Sequence, residues 1–371
     1  MTERQPPVIS EEIAEGRLQL TPLPTGCLFV QEHARGRLET LSIGDYGKAS
    51  NVTARFLGLN DEVEGVPNGQ CKPLSEKWVM TLSTQYGCPM ECTFCDVPNI
   101  EFKGNATIED LRRQFNTAVL LFSEQVSYTD RLNLHFARMG EPAFNPNVLD
   151  FARELYESKA QIQEQLGLRT EVIHPVFTTS LPARLKPLEG RVLDWCDIKN
   201  DVYNGQAGLQ LSINSTDDAE RDAMFKGRSL SLREISDLAR KMPPPIGRKY
   251  CLNFALASDF TVDANYLAKL FDPAHFMVKI TPIHNSNACR ANGIETVDGY
   301  SSFAPYRQVE QELRNKGFDV LVFVPSDHEE EGLVTCGNSV LGGGVSTLST
   351  DIINIAGLKP DELSWAKNSS C

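Results

Sequence analysis

The chain has 371 residues, 49 acidic against 36 basic, a formal net charge of −13, and 41% hydrophobic and 23% charged residues. That is the balance of an ordinary globular protein of one large or two ordinary domains, and it excludes wholesale disorder, collagen and a disulfide scaffold. The longest apolar runs, 118–122 and 320–324, are five residues each, against about 20 for a membrane span, so no contact with a membrane is expected. The first residues, Met-Thr-Glu-Arg-Gln-Pro-Pro, carry no basic stretch followed by an apolar core, and the ten cysteines are spread along the chain. Both features point to a cytoplasmic location.

Residues 1–75 hold seven basic and ten acidic residues with frequent Gly and Pro. They read as an N-terminal extension or small domain whose fold the pattern does not reveal. From Trp78 the pattern becomes alternating apolar runs and amphipathic segments. Strands are predicted at 78–83, 132–137, 172–178, 208–213, 250–257, 276–280 and 320–324. Helices fit between them: Thr107 with Asp110 and Ser231 with Glu234 resemble capping boxes, and further amphipathic segments run over 148–166 and 305–315. Strand-helix alternation predicts an α/β fold with a parallel sheet, either a partial barrel or an open doubly wound sheet, with functional residues on the loops after the strands. The core is placed at 76–344, with a C-terminal loop region inside it and a polar tail at 345–371.

Directly after the first strand of this core comes Gly87-Cys88-Pro89-Met90-Glu91-Cys92-Thr93-Phe94-Cys95-Asp96, a C-x3-C-x2-C array. Thiolates are soft, anionic ligands, and three on one short loop can reach a common centre. A structural zinc site would want a fourth Cys or His, and none lies close by, His135 being the nearest downstream. A [4Fe-4S] cluster on Cys88, Cys92 and Cys95 would leave one iron open to a substrate or cofactor. A zinc knuckle or three inert thiols are the plainer alternatives.

The spacing, with Phe94 before the third cysteine, resembles the radical S-adenosylmethionine (SAM) enzymes. In those enzymes SAM chelates the open iron and is cleaved reductively to a 5′-deoxyadenosyl radical, which implies a reductase partner such as flavodoxin or ferredoxin. The resemblance implies a partial (β/α)6 TIM-like barrel. Arg138-Met139-Gly140-Glu141-Pro142 matches the Gly-Glu-Pro motif that meets the amino group of SAM, with Gly140 giving close backbone approach and Glu141 acceptors. Taken alone, Gly-Glu-Pro reads as a turn.

The resemblance narrows to the adenine C2/C8 methyltransferases of ribosomal and transfer RNA, the RlmN and Cfr group. Ser83–Cys95, Met139-Gly140-Glu141-Pro142, Phe177-Thr178-Thr179-Ser180, Leu211-Ser212-Ile213-Asn214 with Arg221-Asp222, Ile280-Thr281-Pro282-Ile283-His284-Asn285 and Thr335-Cys336-Gly337 match in family order, over about 70% of the chain. It implies that Ser180 and Ser212 contact the carboxylate or ribose of SAM, that Asn214 stands at a family His position, and that His284 or Asn285 lies near the adenosine. For each, a polar loop residue satisfying local backbone is the plainer reading. It further implies that Cys336 is methylated by one SAM, and that a radical made from a second SAM abstracts hydrogen from that methyl, so that the carbon radical adds to an sp2 carbon of adenine. A lone Cys is more often a small buried hydrophobe.

Two features depart from the family. The second catalytic Cys, seven residues before the first cluster Cys, is here Thr81, and a hydroxyl cannot close the disulfide that releases product. Cys71 and Cys289 are candidate substitutes, with an ordinary thiol the plainer reading of each. The N-terminal region is also short and acidic, which weakens but does not exclude an RNA substrate. The expected function is a radical SAM methyltransferase acting on RNA adenine through Cys336. The alternatives are a radical SAM enzyme acting on a small molecule or peptide, and a zinc-binding interaction protein. The oligomeric state is not readable.

Overall fold

In the computed structural model of the protein, residues 9–45, 52–59, 73–296 and 302–348 are described. The N-terminal region, unreadable in sequence, forms three antiparallel strands, β1 (Leu18–Leu23), β2 (Gly26–His33) and β3 (Gly36–Ile43). After the short β4 (Val52–Thr53), β5 (Trp78–Leu82) begins the core. The small ribbon of β6 (Gln85–Tyr86) and β7 (Gly104–Asn105) follows. Then come β8 (Tyr128–Phe136), β9 (Arg169–Thr179), β10 (Gly208–Ser212), β11 (Tyr250–Leu256), β12 (Phe276–Pro282) and β13 (Asp319–Phe323).

All seven predicted core strands form, and they pair in parallel in sequence order from β5 to β13. A doubly wound sheet reverses its strand order part-way; this order runs in one direction, so the doubly wound alternative is set aside. β3 adds antiparallel to β5, and β4 covers the free edge of β13, giving one open sheet of eleven strands.

The sheet is curled. In a flat sheet β5 and β13 would lie six strand spacings apart, about 29 Å. The backbone N–H of Asp96, on the loop after β5, nevertheless donates to the carbonyl of Gly337, beyond β13, at 2.8 Å. Arg138, after β8, likewise reaches the carbonyl of Leu333 at 2.7 Å. The loops at the C-terminal ends of the strands therefore meet around one mouth, as in a partial barrel.

Alternation along β5 sends Trp78, Met80 and Leu82 outward into the helix layer, where Trp78 meets Phe122 edge-on at 5.9 Å. Val79 and Thr81 take the opposite, inner face. Helix Ile108–Leu120 starts at the predicted Thr107–Asp110 capping box, and helix Leu232–Ala239 at the Ser231–Glu234 box. The segment predicted at 148–166 is two helices, Asn147–Glu157 and Lys159–Leu166, meeting at Ser158. Among the described residues no helix is long and apolar enough to cross a membrane. Most of the C-terminal tail, 349–371, lies outside the described residues.

Candidate active site

The three cysteines lie on an excursion between β6 and β7. Gly87 opens it at φ 74, where a Cβ would come within 2.9 Å of the carbonyl oxygens of Ile100 and Glu101, so only glycine lets the outgoing and returning strands close. Cys88, Cys92 and Cys95 are each half-buried and free. Met90, Met224 and Phe225 form an apolar wall beside them, with Phe94 edge-on to Phe225 at 5.8 Å.

Burial pushes the Cys88 thiol up to about 12. Cys92 and Cys95 are also raised, by burial first and then by neighbouring thiols. Three thiols crowded in an apolar setting, with their anionic forms disfavoured, form a donor set that a cationic centre would relieve. Among the described residues no three Cys, His, Asp or Glu side chains close around a single ion. Cys88, Cys92 and Cys95, three free thiols on one loop, would be the ligands of an iron–sulfur cluster, which would supply redox chemistry there. The residues present fit such a cluster.

The loop is tied down from three sides. Thr93 donates its N–H to the carbonyl of Met224 at 2.9 Å, and Arg228 bonds the carbonyl of Pro89 at 3.0 Å and the Glu91 carboxylate at 2.6 Å. Asp96, fully buried, accepts the N–H groups of Ala288 (2.8 Å) and Asn287 (3.4 Å) at the start of helix Asn287–Asn292. The Ser286 hydroxyl donates to the carbonyl of Phe94 at 2.8 Å.

The Gly-Glu-Pro turn packs against the strand end leading into this loop. Gly140 has φ 96, and a Cβ on it would stand 2.6 Å from Gln85 Cβ and 2.8 Å from Gln85 N. The N–H of Glu141 donates to Gln85 Oε1 at 2.8 Å. The Glu141 side chain is buried, with one oxygen accepting the N–H of Ala143 (3.0 Å) and the other that of Ser180 (2.7 Å). Burial raises its carboxyl to about 6, against the pull of those hydrogen bonds. In this structure Glu141 thus caps the turn and ties it to Ser180.

Cys336 is exposed to solvent, yet protein surrounds it closely enough that burial raises its thiol, with Arg138 and Lys279 acting in the opposite direction. It lies within electrostatic reach of Cys88, Cys92 and Cys95. Its neighbour Gly337 sits so close to the cysteine loop that a Cβ there would be 3.0 Å from the carbonyl oxygen of Phe94. Residues 241 and 244 positions apart in sequence, such as Cys95 or Cys92 and Cys336, are thereby gathered at one mouth.

Ser180 and Ser212 are half-buried at the ends of neighbouring strands, β9 and β10. The guanidinium of Arg221, almost fully buried, holds this rim through the carbonyls of Ser212 (3.1 Å), Ile213 and Leu230 (3.1 Å) and the Ser229 hydroxyl (2.9 Å). Asn214 is buried at φ 62, with its carbonyl oxygen accepting the N–H of Ala255 (2.9 Å) and its amide facing Met224 Sδ (3.1 Å). Both ends of the Asn214 side chain are thus used within the protein. His284 Nδ1 is 3.5 Å from Glu330, which also accepts the N–H of Asn285 (2.8 Å) and the hydroxyl of Thr335 (3.1 Å). Glu330 therefore joins the loop after β12 to the loop of Cys336.

No protein-family model matches the chain. It is 27% identical over 261 residues to the dual-specificity RNA methyltransferase RlmN of Anaeromyxobacter dehalogenans, covering 67% of this chain and 64% of that one. Against the probable dual-specificity RNA methyltransferase RlmN of Pseudothermotoga lettingae it is 25% identical over 210 residues, covering 55% and 54%. The chain thus spans between about half and two thirds of the length of these curated relatives. The crystal structure of a radical SAM methyltransferase from Sphaerobacter thermophilus shares the fold, with a TM-score of 0.56 and 18% identity over 86% of this chain and 80% of that one.

In sequence the chain is a distant relative of proteins named RlmN, and in fold it is similar to a radical SAM methyltransferase. Its divergence has a structural address. Thr81 is half-buried on the inner face of β5, paired in register with Leu41 and His135. Cys289 is fully buried with its sulfur 3.6 Å from the carbonyl of Phe94, so its thiol is closed to solvent. Cys71 lies outside the described residues. Sequence reasoning gave no role to Asp96 or Glu330, and it noted Arg221 only as part of a matching stretch. Asp96 carried a signal as the residue directly after the third cysteine and Arg221 as part of a matching stretch; Glu330 acts through contacts that no local pattern encodes.

Proposed function

We propose that this chain is a radical SAM methyltransferase that holds a [4Fe-4S] cluster on Cys88, Cys92 and Cys95, and that its substrate is an sp2 carbon of adenine in RNA. The observation that carries the reading is the position of Cys336, a solvent-exposed thiol on a loop bonded to the residue after Cys95. When bound, the cluster and SAM supply a 5′-deoxyadenosyl radical. The chain's own residues do the rest: Gly140 and Glu141 shape the turn beside the cluster loop, Ser180, Ser212, His284 and Asn285 line the mouth as SAM contacts, and Asn214 braces the rim behind them. Cys336, having lost its proton, would take the methyl as its thiolate from one SAM, which leaves as S-adenosylhomocysteine, and would present the methyl carbon to the substrate. A reductase such as flavodoxin or ferredoxin supplies the electron, and the reaction belongs to the cytoplasm.

Thr81 favours a second reading, in which the same scaffold acts on a small molecule or peptide without disulfide-resolved methyl transfer. The two separate on anaerobic reconstitution with iron and sulfide, then SAM and reductant. The first expects 5′-deoxyadenosine together with a methyl on the Cys336 peptide, and on RNA adenine either the adduct still joined to Cys336 or, where a further thiol closes a disulfide with Cys336, a gain of about 14 Da. Cleavage of SAM with Cys336 left unmodified would sink it in favour of the second.

A further inference from the structure

The loop that carries Cys336 is fastened by a buried ion pair between Arg138, at the head of the Gly-Glu-Pro stretch, and Glu39, which belongs to none of the motifs above. Glu39, on β3 of the N-terminal sheet, has no solvent exposure. One of its oxygens accepts Nε (3.0 Å) and Nη2 (2.7 Å) of Arg138. The other accepts the Ser339 hydroxyl and the N–H of Leu341, both at 2.6 Å. Arg138, itself 6% exposed, spends Nη1 on the carbonyl of Leu333 at 2.7 Å.

The loop from 333 to 341 is thus held at its start by Arg138 and at its end by Glu39. In between, the carbonyl of Gly337 is pinned by the N–H of Asp96 at 2.8 Å. Cys336 stands between these anchors and is the exposed residue of the segment. Leu333 takes a left-handed φ of 56, a strained conformation that persists only where its surroundings over-determine it.

Desolvating two charges is costly, and an apolar pair of the same volume would pack at least as well. What an apolar pair cannot do is aim. A carboxylate met by four convergent donors, against a forked guanidinium, fixes direction as well as distance. We propose that Glu39 and Arg138 are positioning residues for Cys336, and that through them the N-terminal sheet is part of the active site. The pair holds the loop so that the Cys336 thiol faces the cysteine triplet. The inference concerns loop placement; its consequence for methylation rests on the reading of Cys336 as methyl carrier.

The test uses the full chain with Glu39→Gln, which keeps shape and removes charge, and Arg138→Lys, which keeps charge and removes the fork. Amide exchange is followed in the 333–341 loop and in strands β8 and β9, alongside iron content, 5′-deoxyadenosine and methyl on Cys336. Expected for Glu39→Gln is a loss of at least about tenfold in loop protection, with strand protection and iron loading unchanged. Methyl on Cys336 per SAM cleaved should fall by a similar factor, and Arg138→Lys should lie between this variant and the parent. Unchanged loop protection in both variants would overturn the proposal, and so would protection lost equally from loop and strands in both, which would mean general packing. If the parent chain never methylates Cys336, the carrier reading fails while the exchange measurement still decides the anchoring.

Discussion

Gly140 shows how one residue can answer to two constraints at once. Its φ of 96 and the 2.6 Å a Cβ would leave to Gln85 both exclude a side chain. Gly140→Ala is expected to destabilise the protein by about 3 kcal/mol, from left-handed strain plus overpacking, read as a lower urea midpoint. Glu329 makes a different prediction. It is 7% exposed, and burial raises its carboxyl from the ordinary 4.5 to about 7. Between those values the native state keeps a proton that the unfolded chain has released, so this residue's contribution to stability falls as pH rises through the window. Glu329→Gln should flatten that slope, with a gain approaching about 3 kcal/mol near neutral pH and none below the glutamate range. Urea melts at several pH values check it; a variant curve parallel to the parent's would refute it.

At the scale of elements, the helix starts were legible because a cap is local. The Thr107 hydroxyl accepts the N–H of Asp110 at 3.1 Å, and the Asp110 carboxylate accepts the N–H of Thr107 at 2.8 Å. Thr107→Ala should cost about 1 kcal/mol in chemical denaturation. The N-terminal strands were not legible, and the reason is chemical. The face they turn to helix Ile108–Leu120 mixes apolar residues with buried, paired polar ones: Gln31 reaches Thr117 at 2.9 Å, Thr40 reaches Gln114 at 2.9 Å, and Ser42 reaches the carbonyl of Ala118 at 3.0 Å. A sheet that buries hydrogen-bonded polar groups does not show the apolar alternation by which strands are recognised. Gln114 serves three partners in this layer, including both the N–H (2.9 Å) and the carbonyl (3.0 Å) of Ser83. Gln114→Ala should therefore cost about 3 kcal/mol, since it orphans buried groups as well as removing bonds.

At the scale of the whole molecule, the N-terminal sheet belongs to the same core as the parallel strands. Leu18, Cys27, Phe29 and Leu38 pack in one cluster with Trp78, Phe122 and Phe136. A chain lacking the first 45 residues would expose that apolar surface and the edge of β5, and also lose Glu39. It is expected to be aggregation-prone and to lack a cooperative melt; a monomeric truncated chain with a sharp transition would contradict the shared core. The curl of the sheet matters equally, because it brings the loops after β5, β8, β12 and β13 to one mouth.

The sequence by itself determined the chemistry that lies on one short stretch. Cys88, Cys92 and Cys95 share a loop, so their spacing alone limits what they can hold, and the strand-helix rhythm sets the order of the sheet. It also marked Cys336, Ser180, Ser212 and His284 as residues on loops or strand ends, though not what each would touch. Only the tertiary structure decided that Glu39 and Arg138, 99 positions apart, clasp the Cys336 loop. It likewise decided that Asp96 joins three loops and that Asn214 faces inward to neighbours. The physical reason is range. Spacing within a loop leaves the chain little freedom, whereas contacts across the barrel depend on register and curl, which are set by burial summed over every strand at once.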